Sequence, residues 1–436
     1  MSDRWGREQV LALAPDAASA KAAAGVARPA KWSGTGADGE AVWGECQGSG
    51  RSTYRACVDV TEPAFRCTCP SRKFPCKHGL ALLLLWSDGT VGGGERPQWA
   101  AEWIEGRRAR AEKARERRAA AAPKAASRTR DPKTAERRRR RVEEGLAELD
   151  RWLCDQVAQG LAQAEHAPYR VWDDVARRLV DAQAGALAGQ VKALAGLPRR
   201  PEWPDRLLEE YALLRLLVRA YRRGEELPEG LRETVRARVG FTLSQDEVAE
   251  RGERVRDRWC VTGAHDSEQD RLTTRRVWLR GRRTGRPALV LSFAAPGRPL
   301  DTSLAVGTEF DGELVFYPGA QPLRALVGER HGPAEPAVPG GTTVQGFLDE
   351  HAAALARDPW LDRWPVTLAA VRPARSADGA LHVIDEAGDA LALRPTDPWR
   401  LLAVSGGRPV VFSGEWTPRG LRPLAAWHED EGMVVL

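Results

Sequence analysis

The stretch Phe65-Arg66-Cys67-Thr68-Cys69-Pro70-Ser71-Arg72-Lys73-Phe74-Pro75-Cys76-Lys77-His78-Gly79 decides how the N-terminal part of this chain folds. It places three thiols and one imidazole within twelve residues, in the pattern C-x-C-x6-C-x-H. Soft thiolates joined by an imidazole favour tetrahedral zinc. Side chains alternate along an extended strand, so Cys67 and Cys69 project to the same side. Pro70, Pro75 and the polar residues between them predict a turn that returns Cys76 and His78 to the first pair. Four protein ligands leave no position for a substrate. The spacing therefore predicts one structural zinc rather than a catalytic one.

The flanking sequence agrees with a small metal-organised unit. Ala41–Cys46 and Ser52–Val60 read as two strands, joined by a turn at Gly48-Ser49-Gly50. Gly79-Leu-Ala-Leu-Leu-Leu-Leu-Trp86 is apolar all round, which marks a buried helix. Upstream, Pro15-Asp16-Ala-Ala-Ser19 reads as a helix start with Asp16 as its cap, and Ser33-Gly-Thr-Gly36 reads as turn. Cys46 and Cys57 read as ordinary strand residues. The array and its surroundings resemble the SWIM zinc finger, whose motif is C-x-C, a spacer, then C-x-H. The β-β-α arrangement of that family fits residues 38–88.

The chain has 436 residues, enough for two to four domains. Its apolar run at residues 79–86 is far shorter than the about 20 residues that span a bilayer. Val10–Ala14 is too short for an apolar targeting core. Of seven cysteines, four are committed to metal. That is no disulfide framework, and the expected location is the reducing cytoplasm. Net charge is +6 and unevenly spread: residues 107–141 hold sixteen Lys/Arg against four Asp/Glu, so the rest of the chain carries −6.

Periodicity changes along the chain and predicts a multidomain α+β protein: an N-terminal ββα zinc finger, a central α-helical bundle and a C-terminal β-rich region. The expected divisions are residues 1–37, an N-terminal helical segment; 38–88, the finger; 89–141, a flexible Gly/Ala/Arg-rich basic linker; 142–240, the bundle; and 241–436, the β-rich region. Trp99 and Trp103, four apart, suit one helical face. Val142 to Leu161, Trp172 to Leu194 and Leu207 to Tyr221 carry apolar residues every three or four positions, with a further helix at Pro228–Val239. Beyond residue 255 the period falls to two. Strands are expected at Val277–Leu279, Ala288–Phe293, Glu313–Tyr317, Val366–Val371, Leu381–Ile384, Ala390–Leu393, Leu401–Val404 and Val410–Trp416. Helices are expected at Ser244–Arg254 and Val344–Arg357, and Gly263–Gln269, with His265, reads as a loop. One open barrel or two small sheets fit this pattern. The Gly-rich exit from the finger predicts that the later regions fold independently of it.

No phosphate loop, nucleophile elbow or H-E-x-x-H motif stands in the required context. Asp173-Asp174 reads as a solvated helix face, and the six histidines outside the motif form no ligand-like pair. The expectation is a protein that is not an enzyme. Asp181-Ala-Gln-Ala-Gly185, Leu291-Ser-Phe-Ala-Ala295 and Phe316-Tyr-Pro-Gly-Ala-Gln-Pro-Leu323 resemble segments of bacterial SWIM-family proteins encoded beside MoxR-type AAA+ ATPases and von Willebrand A-domain proteins. The resemblance implies an adaptor or accessory whose protein partner is the AAA+ ATPase or the A-domain protein. A second reading is DNA or RNA binding through Arg66, Arg72, Lys73 and Lys77 around the zinc and through Arg137, Arg138, Arg139, Arg140 and Arg141, by phosphate neutralisation. No membrane contact is expected.

Overall fold

Zinc-motif residues lie at the end of a four-stranded antiparallel meander of β1 (Trp32–Ala37), β2 (Ala41–Gln47), β3 (Thr53–Asp59) and β4 (Ala64–Cys67), followed by α3 (Lys77–Ser87). These coordinates are a computed structural model that describes residues 5–14, 17–48, 52–61, 63–71, 73–110, 132–199, 202–269, 272–295, 300–395 and 397–436. The Asp16 cap, Ser49 and Gly50 of the expected turn, Arg72, and residues 111–131 of the basic tract lie outside them. The meander has two strands more than the expected hairpin. β1 was hidden because its Ser-Gly-Thr-Gly reads as turn. Gly36 is needed there because the Trp43 indole lies over it, and a Cβ would fall 2.7 Å from that ring.

Every residue of α3 from His78 to Trp86 is buried. Together with Val42, Ala56, Val58 and Phe65, the α3 leucines form one core on the inner face of the sheet. Two N-terminal helices, α1 (Arg7–Ala12) and α2 (Ala17–Val26), complete this core with Trp5, Val10 and Ala23. The outer face is covered as well. Residues 98–110 form a helix, α4, whose Ala100, Trp103 and Ile104 join Ala41, Trp43 and Cys57 in a second cluster.

Residues 89–110 are therefore part of the finger rather than a flexible linker. The glycines are stitched to edge strand β1, with Ala37 N donating to Gly92 O (3.0 Å) and Gly94 N to Ala37 O (3.2 Å). Arg96 donates to Asp38 (2.8 Å) and Glu40 (2.9 Å), Arg107 to Asp59 (3.2 Å), and Arg108 to Glu40. Partial burial opposes ionisation of Asp38, but Arg96 and the backbone N–H groups of Glu40 and Ala41 outweigh it and lower its pKa. Arg96, ahead of partial burial, and then Arg108 hold Glu40 low as well.

The helical region contains α5 (Pro132–Gln159), α6 (Gln163–His166), α7 (Tyr169–Asp181), α8 (Gly185–Leu194), α9 (Trp203–Arg222) and α10 (Glu229–Val239) around one core. The arginine run forms the first turns of α5 and is not linker. The expected single helix from Trp172 to Leu194 breaks into α7 and α8 at Gln183, which takes a left-handed φ of 62°. Alanines at 182, 184 and 186 suit helix or turn alike, so the apolar period ran through the break.

A short helix, α11 (Gln245–Arg251), with Ser244 and Glu247 in a capping box, leads into the β region. There β5 (Glu253–Gln269), β6 (Leu272–Gly281), β7 (Pro287–Ala294), β8 (Thr308–Phe316) and β9 (Arg324–Arg330) close into a ring, with β10 (Glu335–Pro336) on the edge of β8. β5 pairs with β6 and β8, β8 with β9, and β7 with β9 in parallel. After α12 (Val344–Arg357) the same order recurs. β11 (Trp364–Arg375) pairs with β12 (Leu381–Ile384) and β14 (Val410–Thr417), β12 with β13 (Ala390–Ala392), and β14 with β15 (Gly420–His428). A parallel bridge between Leu393 and Leu421 closes the ring, and β16 (Gly432–Val435) adds to β15. Both rings have the strand order of the OB-fold, a five-stranded Greek-key barrel. α13 (Trp399–Ser405) stands between the third and fourth strands of the second ring, where a strand at Leu401–Val404 was expected. Pro398 caps it and Gly406, with φ 52°, ends it, and four apolar residues alone do not separate helix from strand. His265 lies in β5, opposite Arg276, and not in a loop.

The regions are docked on one another. Gln9 Nε2 donates to Gly307 O (2.8 Å), and Thr302 Oγ1 to Pro63 O (2.8 Å), tying the finger to the first barrel. α1 also lies against β16. Trp360 is buried in the bundle core, its Nε1 donating to Leu213 O (2.9 Å). The expected independence of the finger is therefore corrected: its N-terminal helix covers barrel surface. A chain starting at Glu143 should melt several degrees below the full chain in calorimetry, since a lost cover and two lost hydrogen bonds cost about 1–3 kcal/mol. Equal melting would contradict the docking.

Candidate metal centre

Cys67 ends β4, Cys76 is the residue that caps α3 at its N-terminus, and His78 is the second residue of that helix. The strand end and the helix start are brought together because Phe65 of β4 packs into the same core as Leu80 and Leu82–Leu85 of α3. Gly79 allows this approach: a Cβ there would meet the Phe65 ring at 2.9 Å. The ligating atoms of Cys67, Cys69, Cys76 and His78 all lie within 4.8 Å of one another. Cys67 Sγ stands 3.8 Å from His78 Nδ1. Tetrahedral zinc with Zn–S about 2.3 Å and Zn–N about 2.0–2.1 Å separates its ligand atoms by roughly 3.6–3.8 Å. The donor set and its spacing thus fit one zinc ion. Among the described residues no other group of metal-ligating side chains converges in this way.

The thiols prepare the site unequally. A hydrogen bond from Cys67, outweighing burial, holds Cys76 down to about 4, with further help from His78 and the Gly79 N–H. Cys67 is pushed up by the same hydrogen bond and by burial, and Cys69 is raised chiefly by burial. These shifts favour the thiolate at Cys76 and the neutral thiol at Cys67 and Cys69. A cation is needed to deprotonate the other two. Cys46 and Cys57 stay outside the site, buried in β2 and β3, and burial pushes Cys57 up to about 12.

Beside the ligands lies a cleft of about 620 Å³ between α2 and the hairpin, lined among others by Lys31, Tyr54, Ser71, Lys73, Lys77 and His78. The Tyr54 ring sits 5.0 Å from the His78 ring. Lys73 and Lys77 were expected at the site; Lys31 and Tyr54 were not, since only the fold brings the 3-10 turn before β1 and strand β3 beside the motif. Arg66 is turned away. It pairs with Cys57 across the ladder, on the sheet face that α4 covers.

The five arginines divide over α5: successive residues point about 100° apart, while Arg137, Arg140 and Arg141, three and four apart, share a face. Arg138 donates to Gly240 O (3.0 Å) and lies over the Phe241 ring at 4.4 Å, Arg139 pairs with Glu136, and Arg137 donates to Thr134 Oγ1 (3.2 Å). Arg140 and Arg141 are exposed.

Two family matches agree with this geometry. The SWIM zinc finger matches residues 59–86, and the SWIM-associated four-helix bundle domain matches residues 137–239. The chain carries both domains, and its tandem barrels lie beyond either match. No curated protein and no solved structure matches the chain. No helix among the described residues is long and apolar enough to cross a membrane.

Purified protein should contain close to one zinc per chain, and Cys76→Ser should lose it. Zinc added to the folded, metal-free protein near pH 7 should release about two protons, from Cys67 and Cys69. Calorimetry in buffers of different ionisation enthalpy reads this number. Three protons, or none, would contradict a cluster with Cys76 already ionised.

Proposed function

We propose that this chain is a non-enzymatic, zinc-stabilised interaction protein that offers its finger to a protein partner, as an accessory of a MoxR-type AAA+ ATPase and von Willebrand A-domain system. The observation that carries the reading is the closed ligand set: three thiols and an imidazole fill the coordination sphere, so the metal holds shape and activates nothing. The lysine-lined cleft beside it suits carboxylates on a partner. The particular partner rests on the resemblance to bacterial SWIM proteins encoded beside such genes.

Nucleic-acid binding is the second reading, favoured by three lysines and an aromatic ring in one cleft. Two features weigh against it. Arg107, Arg108 and Arg138 are engaged within the chain. OB-type barrels bind oligonucleotides on the face of their second and third strands. In the first barrel that face carries Trp278 and Leu289, packed under Leu424 of the second. In the second barrel the same face of β12 and β13 sets Ala390 and Ala392 opposite Ile384 and His382, so it offers one imidazole rather than a row of aromatic rings.

A pull-down with the AAA+ ATPase and the A-domain protein, run beside a nucleic-acid salt titration, separates the readings. The protein partner should be retained by Arg137–Arg141→Glu and lost with Lys31→Glu/Lys77→Glu. Nucleic acid should bind weakly at physiological salt. Tight nucleic-acid binding with a steep salt slope and no protein partner would overturn the proposal.

A further inference from the structure

α9 is apolar on more sides than the bundle uses. Leu207, Tyr211, Leu214 and Val218 face the core. Yet Leu208 and Leu216 are 46% and 44% exposed on another side of the helix. Val157 of α5, which the apolar period predicts as core, is 48% exposed beside them. Exposed apolar side chains that cluster, rather than stand singly, mark an interaction surface. Here one side is left open as a groove between α5 and α9.

The groove has a floor, a length and a charge. A cavity of about 530 Å³ is lined by Cys154, Val157, Leu208, Ala212 and Leu216, among others. Leu216 and Arg219 also line a second cavity of about 730 Å³, which runs on past Ala220 to Leu231 and Trp360. From Leu208 to Arg223 the path is about 23 Å at 1.5 Å per residue, four helical turns. The ionised residues that line the two cavities are Arg215, Arg219, Arg222 and Arg223 against Glu226. Arg215 and Arg222 share Asp150 (3.2 and 2.9 Å) and Arg223 pairs with Glu226 (2.6 Å), so four arginines against two carboxylates leave the rim cationic. The Tyr211 hydroxyl, at the base of the first cavity, is buried with no hydrogen-bond partner among the described residues.

We propose that this groove binds an amphipathic helix of a partner protein, about four turns long, with leucine-type residues on one face and Asp or Glu along its flanks. Charge selects this occupant. The chain's own residues 111–131 carry seven Lys/Arg against three Asp/Glu, the sign of the rim itself. A second copy docked about a two-fold axis would set arginine rim against arginine rim. An acidic helix places apolar residues on the floor and carboxylates against the cationic rim. The surface is separate from the zinc finger, so this binding stands or falls independently of the finger's role.

The test uses the full zinc-loaded chain and two synthetic 16-residue Leu/Ala helices, one flanked by Glu and the other by Lys. Fluorescence anisotropy measures binding, and mass spectrometry follows iodoacetamide labelling of Cys154 in the groove. The Glu helix should bind and slow Cys154 labelling roughly tenfold, and the Lys helix should bind at least about tenfold more weakly. Leu216→Glu and Arg219→Glu, both at solvent-facing positions, should abolish binding with unchanged circular dichroism. Cys76→Ser should keep it. Failure of the Glu helix to bind, equal binding of both helices, or binding that survives Leu216→Glu would overturn the proposal. So would a concentration-dependent dimer of the chain that Leu216→Glu dissolves, which would assign the groove to a second copy.

Discussion

Coordination of one zinc by the end of β4 and the first residues of α3 is the constraint on which the N-terminal unit, up to residue 110, depends. The ligands lie at a strand terminus, in a turn and at a helix cap. Structural zinc contributes about 10–16 kcal/mol in such sites. That is enough to fix the connection between β4 and α3. Once Cys76 and His78 are anchored, α3 is committed to the inner face of the meander. Its leucines then collect α1 and α2 around it.

Metal alone does not finish the unit. The outer sheet face carries Ala41, Trp43 and Cys57 and needs a cover, which α4 supplies with Trp103 and Ile104. Three arginines hold this cover on three carboxylates of the meander, Arg96, Arg107 and Arg108 against Asp38, Glu40 and Asp59. A charge-rich segment that reads as a basic arm is thus partly a clamp. The assembled unit then offers α1 to the barrels, while Trp360 carries the bundle on the other side. The finger, the bundle and the barrels are coupled through a few specific contacts rather than a loose tether.

The zinc ligands were legible because their chemistry is local: Cys67, Cys69, Cys76 and His78 lie within twelve residues and have few alternative uses. The buried helix was legible for the same reason, as an unbroken apolar run. Less legible was everything that depended on distant partners. β1 was masked by two glycines, Gly36 under the Trp43 ring and Gly34 with a left-handed φ of 56°. α4 was seen as a helix face, but its binding surface lay sixty residues upstream. Charged strands such as β9, and the polar half of β5 around His265, lacked the apolar alternation that marks a strand. The closed order of the two barrels is a property of pairing between strands far apart in sequence, and no local pattern carries it.

Zinc-edge X-ray absorption on the purified, metal-replete protein tests the central claim most directly. A closed structural site predicts three sulfur scatterers at about 2.3 Å and one nitrogen at about 2.0–2.1 Å, with no further light atom. The spectrum should be unchanged by added small anions or thiols. A shell with fewer sulfurs and an exchangeable oxygen would mean an open metal, and would contradict both the purely structural role of the zinc and the reading of the finger as a binding module.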